Sequence, residues 1–167
     1  GAGLAANPLI GSRADELCRV LLGEEPLLAS PQGWWCGSPS ERSHVLSNLD
    51  DMVVHRIGWP EARPLFGRRL SRSERAELTG RIAAAPHRYV GRKEVVCSSE
   101  RTFIDGRIQE RHVALTAFVA ATRRGNLVMP GALSRIVDDE EFASPTSLMI
   151  SKDTWIVPGH GGGPLRL

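Results

Sequence analysis

Apolar residues in the first half of the chain recur three and four apart, in three segments that each open on a serine. Leu17, Val20 and Leu21 follow Ser12 and Asp15 at helical spacing, and Gly23 closes the run. Val45, Leu46 and Leu49 follow Ser38-Pro39-Ser40-Glu41. There Ser38 can accept from the amide of Glu41, Glu41 can reach back to the amide of Ser38, and Pro39 takes the first helical position, where its missing donor costs nothing. Leu78, Ile82 and several alanines follow Ser71 and Glu74, and this run stops before Pro86. Each segment predicts a helix closed at its start by a serine and an acid three residues later.

Elsewhere the pattern shifts to strands. Met52 to Ile57 reads as one, and Tyr89-Val90 with Val95-Val96-Cys97 as another. Asp105-Gly106 marks a turn before a long apolar strand from Val113 to Ala121, and Gly125-Asn126 turns into Leu127-Val128-Met129. Asp138 to Glu141 reads as a solvated loop and Trp155-Ile156-Val157 as a last strand. The expectation is an α+β chain with a mainly antiparallel sheet and about three helices.

Composition narrows the function. The net charge is +2 and the basic residues fall in short pairs, so nucleic acid is not an expected partner. Three scattered cysteines fit neither a zinc site nor a disulfide framework, and reduced thiols in the cytoplasm are expected. No apolar run approaches the ~20 residues that span a bilayer, so no membrane is expected either. The sequence contains no GxxxxGK[ST], GxGxxG, HExxH or GxSxG. His44 and His112 have no ligand neighbours at metal spacing, and the adjacent Trp34 and Trp35 are expected to pack within the core.

What remains is an ordered set of short motifs. They are Trp34-Trp35-Cys36-Gly37-x-Pro39, Val45-Leu46-x-x-Leu49-Asp50 and Leu70-Ser71-x-x-Glu74-Arg75-Ala76, then Pro86-x-x-Tyr89-Val90-Gly91. Val128-Met129-Pro130-Gly131-x-Leu133-x-Arg135 and Ser151-Lys152-Asp153-Thr154-Trp155 complete it. In order and approximate spacing the set resembles the C-terminal half of the circularly permuted ATP-grasp proteins, which are similar to glutathionylspermidine synthetase. The resemblance runs from about Asn7 to Val157. It implies a partial domain of this kind over 1–157, followed by a flexible Gly-rich tail over 158–167.

The resemblance implies α+β subdomains that clamp ATP between antiparallel sheets. It also implies activation of a carboxylate as an acyl phosphate, followed by attack of an amine. ATP and Mg2+ are the implied cofactors, with the acidic metal ligands on a segment N-terminal to Asn7 that is absent here. The implied partners are a nucleotide and a second chain or missing N-terminal half.

Several positions depart from the family pattern. Where it reads Val-Ile-Lys-Pro, with a lysine placed for phosphate, this chain has Val53-Val54-His55-Arg56. His55 would take the lysine's face of the strand, and Arg56 the opposite one. Where it reads Leu-Arg-Val-Phe, this chain has Leu115-Thr116-Ala117-Phe118, and after Tyr89-Val90-Gly91 its Gln-Glu becomes Arg92-Lys93-Glu94. Asn7 opens a stretch matching the family's Asn-Ala/Pro-Leu-Gly-Ser loop with one extra residue. The residues this leaves for the nucleotide are Lys152, Arg56, His55, Glu94 and Asn7; no catalytic residue is assigned. Two functions are expected as alternatives. One is an ATP-grasp-type ATP-binding domain of the carboxylate–amine ligase kind, incomplete or degenerate in this chain. The other is a non-catalytic ATP-grasp-like module for binding or assembly with a partner chain.

Overall fold

The computed structural model describes residues 2–5, 7–59, 62–123, 125–137, 150–152 and 154. The expected acidic loop at Asp138 to Glu141, Asp153, the strand at Trp155 to Val157 and the glycine-rich tail lie outside them. The chain divides into two compact units, Gly1–Val95 and Val96–Leu167.

The first unit carries the helices. Short helices α1 (Ala2–Ala5) and α2 (Pro8–Ser12) precede α3 (Ala14–Leu22), and α4 (Pro39–Ser47) and α5 (Arg72–Ala84) follow. Its sheet is antiparallel in the order β1 (Gly33–Trp35), β4 (Tyr89–Lys93), β2 (Met52–Arg56), β3 (Leu65–Phe66). One sheet face packs on α4 and α5 around Cys36, Val45, Leu49, Met52, Val54, Leu78, Ile82 and Tyr89, with Trp34 and Leu46 against them. Trp34 also meets the ring of His44 at 4.3 Å, and Trp35 donates its indole N–H to the carbonyl of His87. Burial raises the Cys36 thiol to about 11, so it stays a protonated, apolar filler at neutral pH.

The three expected helices meet three different outcomes. Around Ser71 the reciprocal cap forms, with Ser71 Oγ accepting from the Glu74 amide and the Glu74 carboxylate accepting from the Ser71 amide. Ser38 caps nothing with its side chain, although α4 begins where expected. The Glu41 carboxylate instead accepts from the Trp35 amide at 2.6 Å and from Arg13 at 2.7 Å. A longer-range cation and a strand amide therefore outcompete the local partner. Ser71→Ala is expected to cost about 1 kcal/mol and Glu41→Gln about 1–2 kcal/mol, with Ser38→Ala near neutral, as read by urea denaturation.

The first expected helix is α3, which begins at Ala14, just past Ser12. Ser12 does not start it; its hydroxyl donates to the Leu9 carbonyl inside α2, and Asn7 provides the cap. Gly23 does end α3, in the left-handed conformation. Val20 and Leu21, expected on an inner face, are 74% and 73% exposed. Asp15 turns to the Ser30 amide rather than to a helix start.

The second unit is an antiparallel meander of β5 (Ser99–Ile104), β6 (Arg107–Thr122), β7 (Gly125–Val137) and β8 (Ile150–Lys152). Asp105 and Gly106 form the expected turn, both at positive φ (51° and 78°). The apolar strand is longer than expected, and its register slips at Phe118. Val95 to Cys97 joins no strand, contrary to expectation, because the strand partners run out: the first residue of β1, Gly33, faces Arg92 and the first of β2, Met52, faces Lys93. Across β7 and β8, Ile136 faces Ile150 and is almost fully buried. Among the described residues no helix is long and apolar enough to cross a membrane.

Candidate functional site

The pairing register of the first sheet sorts its polar side chains by face. Opposed residues share a face, so Gly33, Arg92, Val53 and Phe66 line up across the sheet, and Trp35, Val90 and His55 form the next row. Arg56 and Tyr89 belong to the opposite face, with Met52 and Val54. His55 and Arg56 therefore diverge as expected, and Arg56 lies over the Trp59 ring at 4.5 Å.

His55 is a neutral group in this setting. Burial lowers its pKa to about 4, and the Arg92 guanidinium adds repulsion in the same sense. Arg92 brings a charge to this face, and the Arg69 guanidinium lies over the Phe66 ring at 4.5 Å. The stem of Arg92 runs beside Gly33, where a Cβ would stand 3.2 Å from Arg92 Cγ and 2.4 Å from Ser12 Cβ. Glycine thus lets α2 and the arginine lie close over β1. The Nε of Arg92 is buried and without a hydrogen-bond partner. Burial alone lowers the Arg92 pKa.

The remaining expected residues have local partners. Glu94 pairs with Arg68 at 2.9 Å, with its side chain 15% exposed. Asn7 Oδ1 accepts from the Leu9 amide at 2.9 Å and caps α2. Beside β1 a cleft of about 530 Å3 is lined by Ser12, Arg13, Arg19, Gln32, Gly33 and Glu41, among others. Its cations are matched internally, Arg13 by Glu41 and Glu16, Arg19 by Glu25.

In the second unit Lys152 Nζ pairs with Glu100 at 2.8 Å, on one face of the sheet. Thr116 lies on the other face, and a cation meets it there: Arg135 donates from Nη2 to Thr116 Oγ1 at 3.3 Å. The Nε of Arg135 is likewise buried and unpartnered. A strand-borne arginine from β7 thus stands beside the hydroxyl that replaces the expected one on β6. Neither Arg92, a departure from the family pattern, nor Arg135, which ends one of the motifs, is among the residues expected from sequence. Their significance depends on register, since only the cross-strand pairing puts Arg92 next to His55 and Arg135 next to Thr116.

Each unit therefore holds an antiparallel sheet with a partly buried arginine that has no carboxylate partner among the described residues. A match to the family described as circularly permuted ATP-grasp type 2 covers residues 1–137. The chain belongs to that family. Over 164 residues it is 32% identical to a Frankia casuarinae protein named "Putative glutamate--cysteine ligase 2-2", covering 93% of this chain and 18% of that relative. An uncharacterised Mycobacterium tuberculosis protein is 32% identical over 158 residues, 95% of this chain and 18% of the relative. A Synechocystis protein, also uncharacterised, is 29% identical over 167 residues, 95% of this chain and 34% of the relative. The chain thus spans between about a fifth and a third of these relatives' length.

ATP-grasp proteins typically use ATP and Mg2+. The two arginines with orphaned Nε atoms suit an anionic group such as a phosphate. The metal is a different matter. Among the described residues no three His, Cys, Asp or Glu side chains converge, and magnesium on a nucleotide is ordinarily held by one or two carboxylates together with the phosphates and water.

Proposed function

We propose that this chain is the nucleotide-binding part of an ATP-grasp ligase that joins a carboxylate to an amine. In that chemistry a carboxylate oxygen attacks the terminal phosphorus of ATP and ADP leaves. The amine nitrogen then attacks the acyl carbon, phosphate leaves, and the nitrogen loses its proton to a base. The match across residues 1–137 carries the reading, and the name "Putative glutamate--cysteine ligase 2-2" of the Frankia relative supports the reaction class. The likeness to glutathionylspermidine synthetase, another enzyme that forms an amide at the expense of ATP, is part of the same reading. Within it, the task of this chain's residues is to hold the triphosphate with fixed cations, which works best away from water. Arg135 beside Thr116 is the candidate in the second unit. No step is assigned to a metal, and the acidic ligands would come from a second chain or from sequence beyond this stretch.

Acyl phosphate formation is tested by trapping with hydroxylamine. ATP-dependent hydroxamate should accumulate with at least one member of a panel of amino acids and dicarboxylates, given the full-length protein or its partner chain. Arg135→Gln should lower the rate about 10- to 100-fold, the range for losing a charge-assisted donor. No hydroxamate with any carboxylate would overturn ligation. A second reading, binding without turnover, is favoured by a specific observation: His55 is neutral and Lys152 is paired with Glu100. Nucleotide binding without hydroxamate formation would select it.

A further inference from the structure

A buried polar atom left without a partner costs about 1–3 kcal/mol, so proteins rarely keep one without a reason. Arg92 keeps one. Its Nε is buried and donates to no protein group, and its stem lies beside Gly33 of β1, where Ser12 of α2 also comes close. Several other arginines of this unit are matched to carboxylates: Arg13 to Glu41, Arg19 to Glu25, Arg68 to Glu94, Arg75 to Asp50 and Arg81 to Glu77. The strand residues that share a face with Arg92 are Gly33, Val53, Phe66, Trp35, Val90 and His55. Just past the strand ends Asp51 and Glu94 follow on that side, Glu94 is taken by Arg68, and among the described residues neither acid pairs with Arg92.

An arginine whose stem is desolvated and whose terminal nitrogens have no acid to answer them is poised for an anion from outside. The guanidinium end presents paired donors that fit two oxygens of one oxyanion. His55 alongside is neutral, so it neither competes as a cation nor repels the ligand, and in its neutral tautomer it can donate one further hydrogen bond.

We propose that Arg92, on the sheet face it shares with His55, is an oxyanion-binding residue whose occupant is a phosphate group. The assignment deepens the ligase reading, on which the choice of a nucleotide phosphate rests. It places a cation on β4, the strand paired with β2, where the family pattern has its lysine and this chain has His55. Carboxylate is the other oxyanion of the proposed reaction, and the experiment separates the two.

Titration calorimetry with inorganic tripolyphosphate, Mg-ATP and glutamate is run on the wild-type chain, Arg92→Met, Arg92→Lys and the exposed-helix control Arg72→Gln. Wild type and the control should bind tripolyphosphate equally. Arg92→Met should weaken it about 10- to 100-fold, and Arg92→Lys should recover part of the loss. The thermal midpoint of Arg92→Met should equal or exceed that of wild type, because an apolar side chain there removes an unpaired donor. A lower midpoint would show that Arg92 is structural and overturn the proposal. So would equal tripolyphosphate binding by Arg92→Met and wild type, even where ATP binding persisted and the ligase reading stood. Arg92-dependent binding of glutamate alone would overturn the phosphate assignment. Arg92-dependent binding of tripolyphosphate without any ATP binding would support the site while removing the nucleotide reading. An absence of binding to all three ligands would overturn both.

Discussion

Gly67→Ala should unfold or severely loosen the first unit, at a cost of about 3 kcal/mol or more. Gly67 is buried at the start of a short 3-10 turn, Gly67–Arg69, between β3 and α5. A Cβ at this position would stand 1.6 Å from the carbonyl oxygen of Leu49 and 2.6 Å from its carbon. Those atoms are backbone, in the 3-10 turn Leu49–Asp51 that feeds directly into β2. They cannot rotate away as a side chain would. The same junction is tied by Arg75, which donates to the carbonyls of Gly67 and Leu70 and pairs with Asp50. A shift large enough to admit a methyl group would break these contacts together. Urea denaturation of Gly67→Ala and Gly80→Ala makes the test internal. Gly80 lies in α5 with nothing within 4 Å of its would-be Cβ, so alanine there should stabilise by about 0.5–1 kcal/mol. Equal midpoints for the two variants would contradict the packing described.

The second large effect is on pH dependence. His55 in the folded chain holds a pKa of about 4, against 6.5 for the ordinary imidazole. As pH falls below 6.5 the unfolded chain takes up a proton that the folded chain refuses, so stability drops. The loss continues down to about pH 4, where the folded form begins to accept the proton as well. At about 1.4 kcal/mol for each pH unit in that window, the total is ~3 kcal/mol at most. Glu74 acts lower in the scale. Its carboxylate is held below the usual range by the Ser71 hydroxyl and amide, so its contribution is present above pH 4.5 and fades beneath it. Denaturation midpoints of His55→Gln should stay flat between pH 6.5 and 5, where those of wild type fall. Parallel slopes would place the titrating group elsewhere.

How far the sequence could be read depended on how local each interaction is. The capping box at Ser71 and Glu74 is complete within four residues, and it formed as expected. The same pattern at Ser38 and Glu41 did not, because Arg13 and the Trp35 amide reach the carboxylate first, and neither is visible in the local string. Leu78 and Ile82 were legible as core from helical spacing. Val20 and Leu21 had the same spacing and remain exposed, since amphipathic spacing shows that a face could be covered, not what covers it. Two-residue β3 and three-residue β1 carry too few positions to show an alternation.

The site was harder to read for the same reason. Among the expected residues, His55 and Arg56 diverge to opposite faces as foreseen, because strand parity is a local property. Asn7, Glu94 and Lys152 each turned out to hold a structural partner, in Leu9, Arg68 and Glu100. Arg92 and Arg135, which have no carboxylate partner among the described residues, became visible only through cross-strand register. The motif order identified the family, while the arrangement of charge within it belongs to this chain.

The central claim, that this is a nucleotide-binding ATP-grasp chain, is tested most directly by calorimetric titration of the wild-type protein with ATP in the presence and absence of Mg2+. Saturable binding, with GTP and adenosine weaker than ATP, is the result the account predicts. No heat and no competition at millimolar ATP, with the protein folded by circular dichroism, would contradict it.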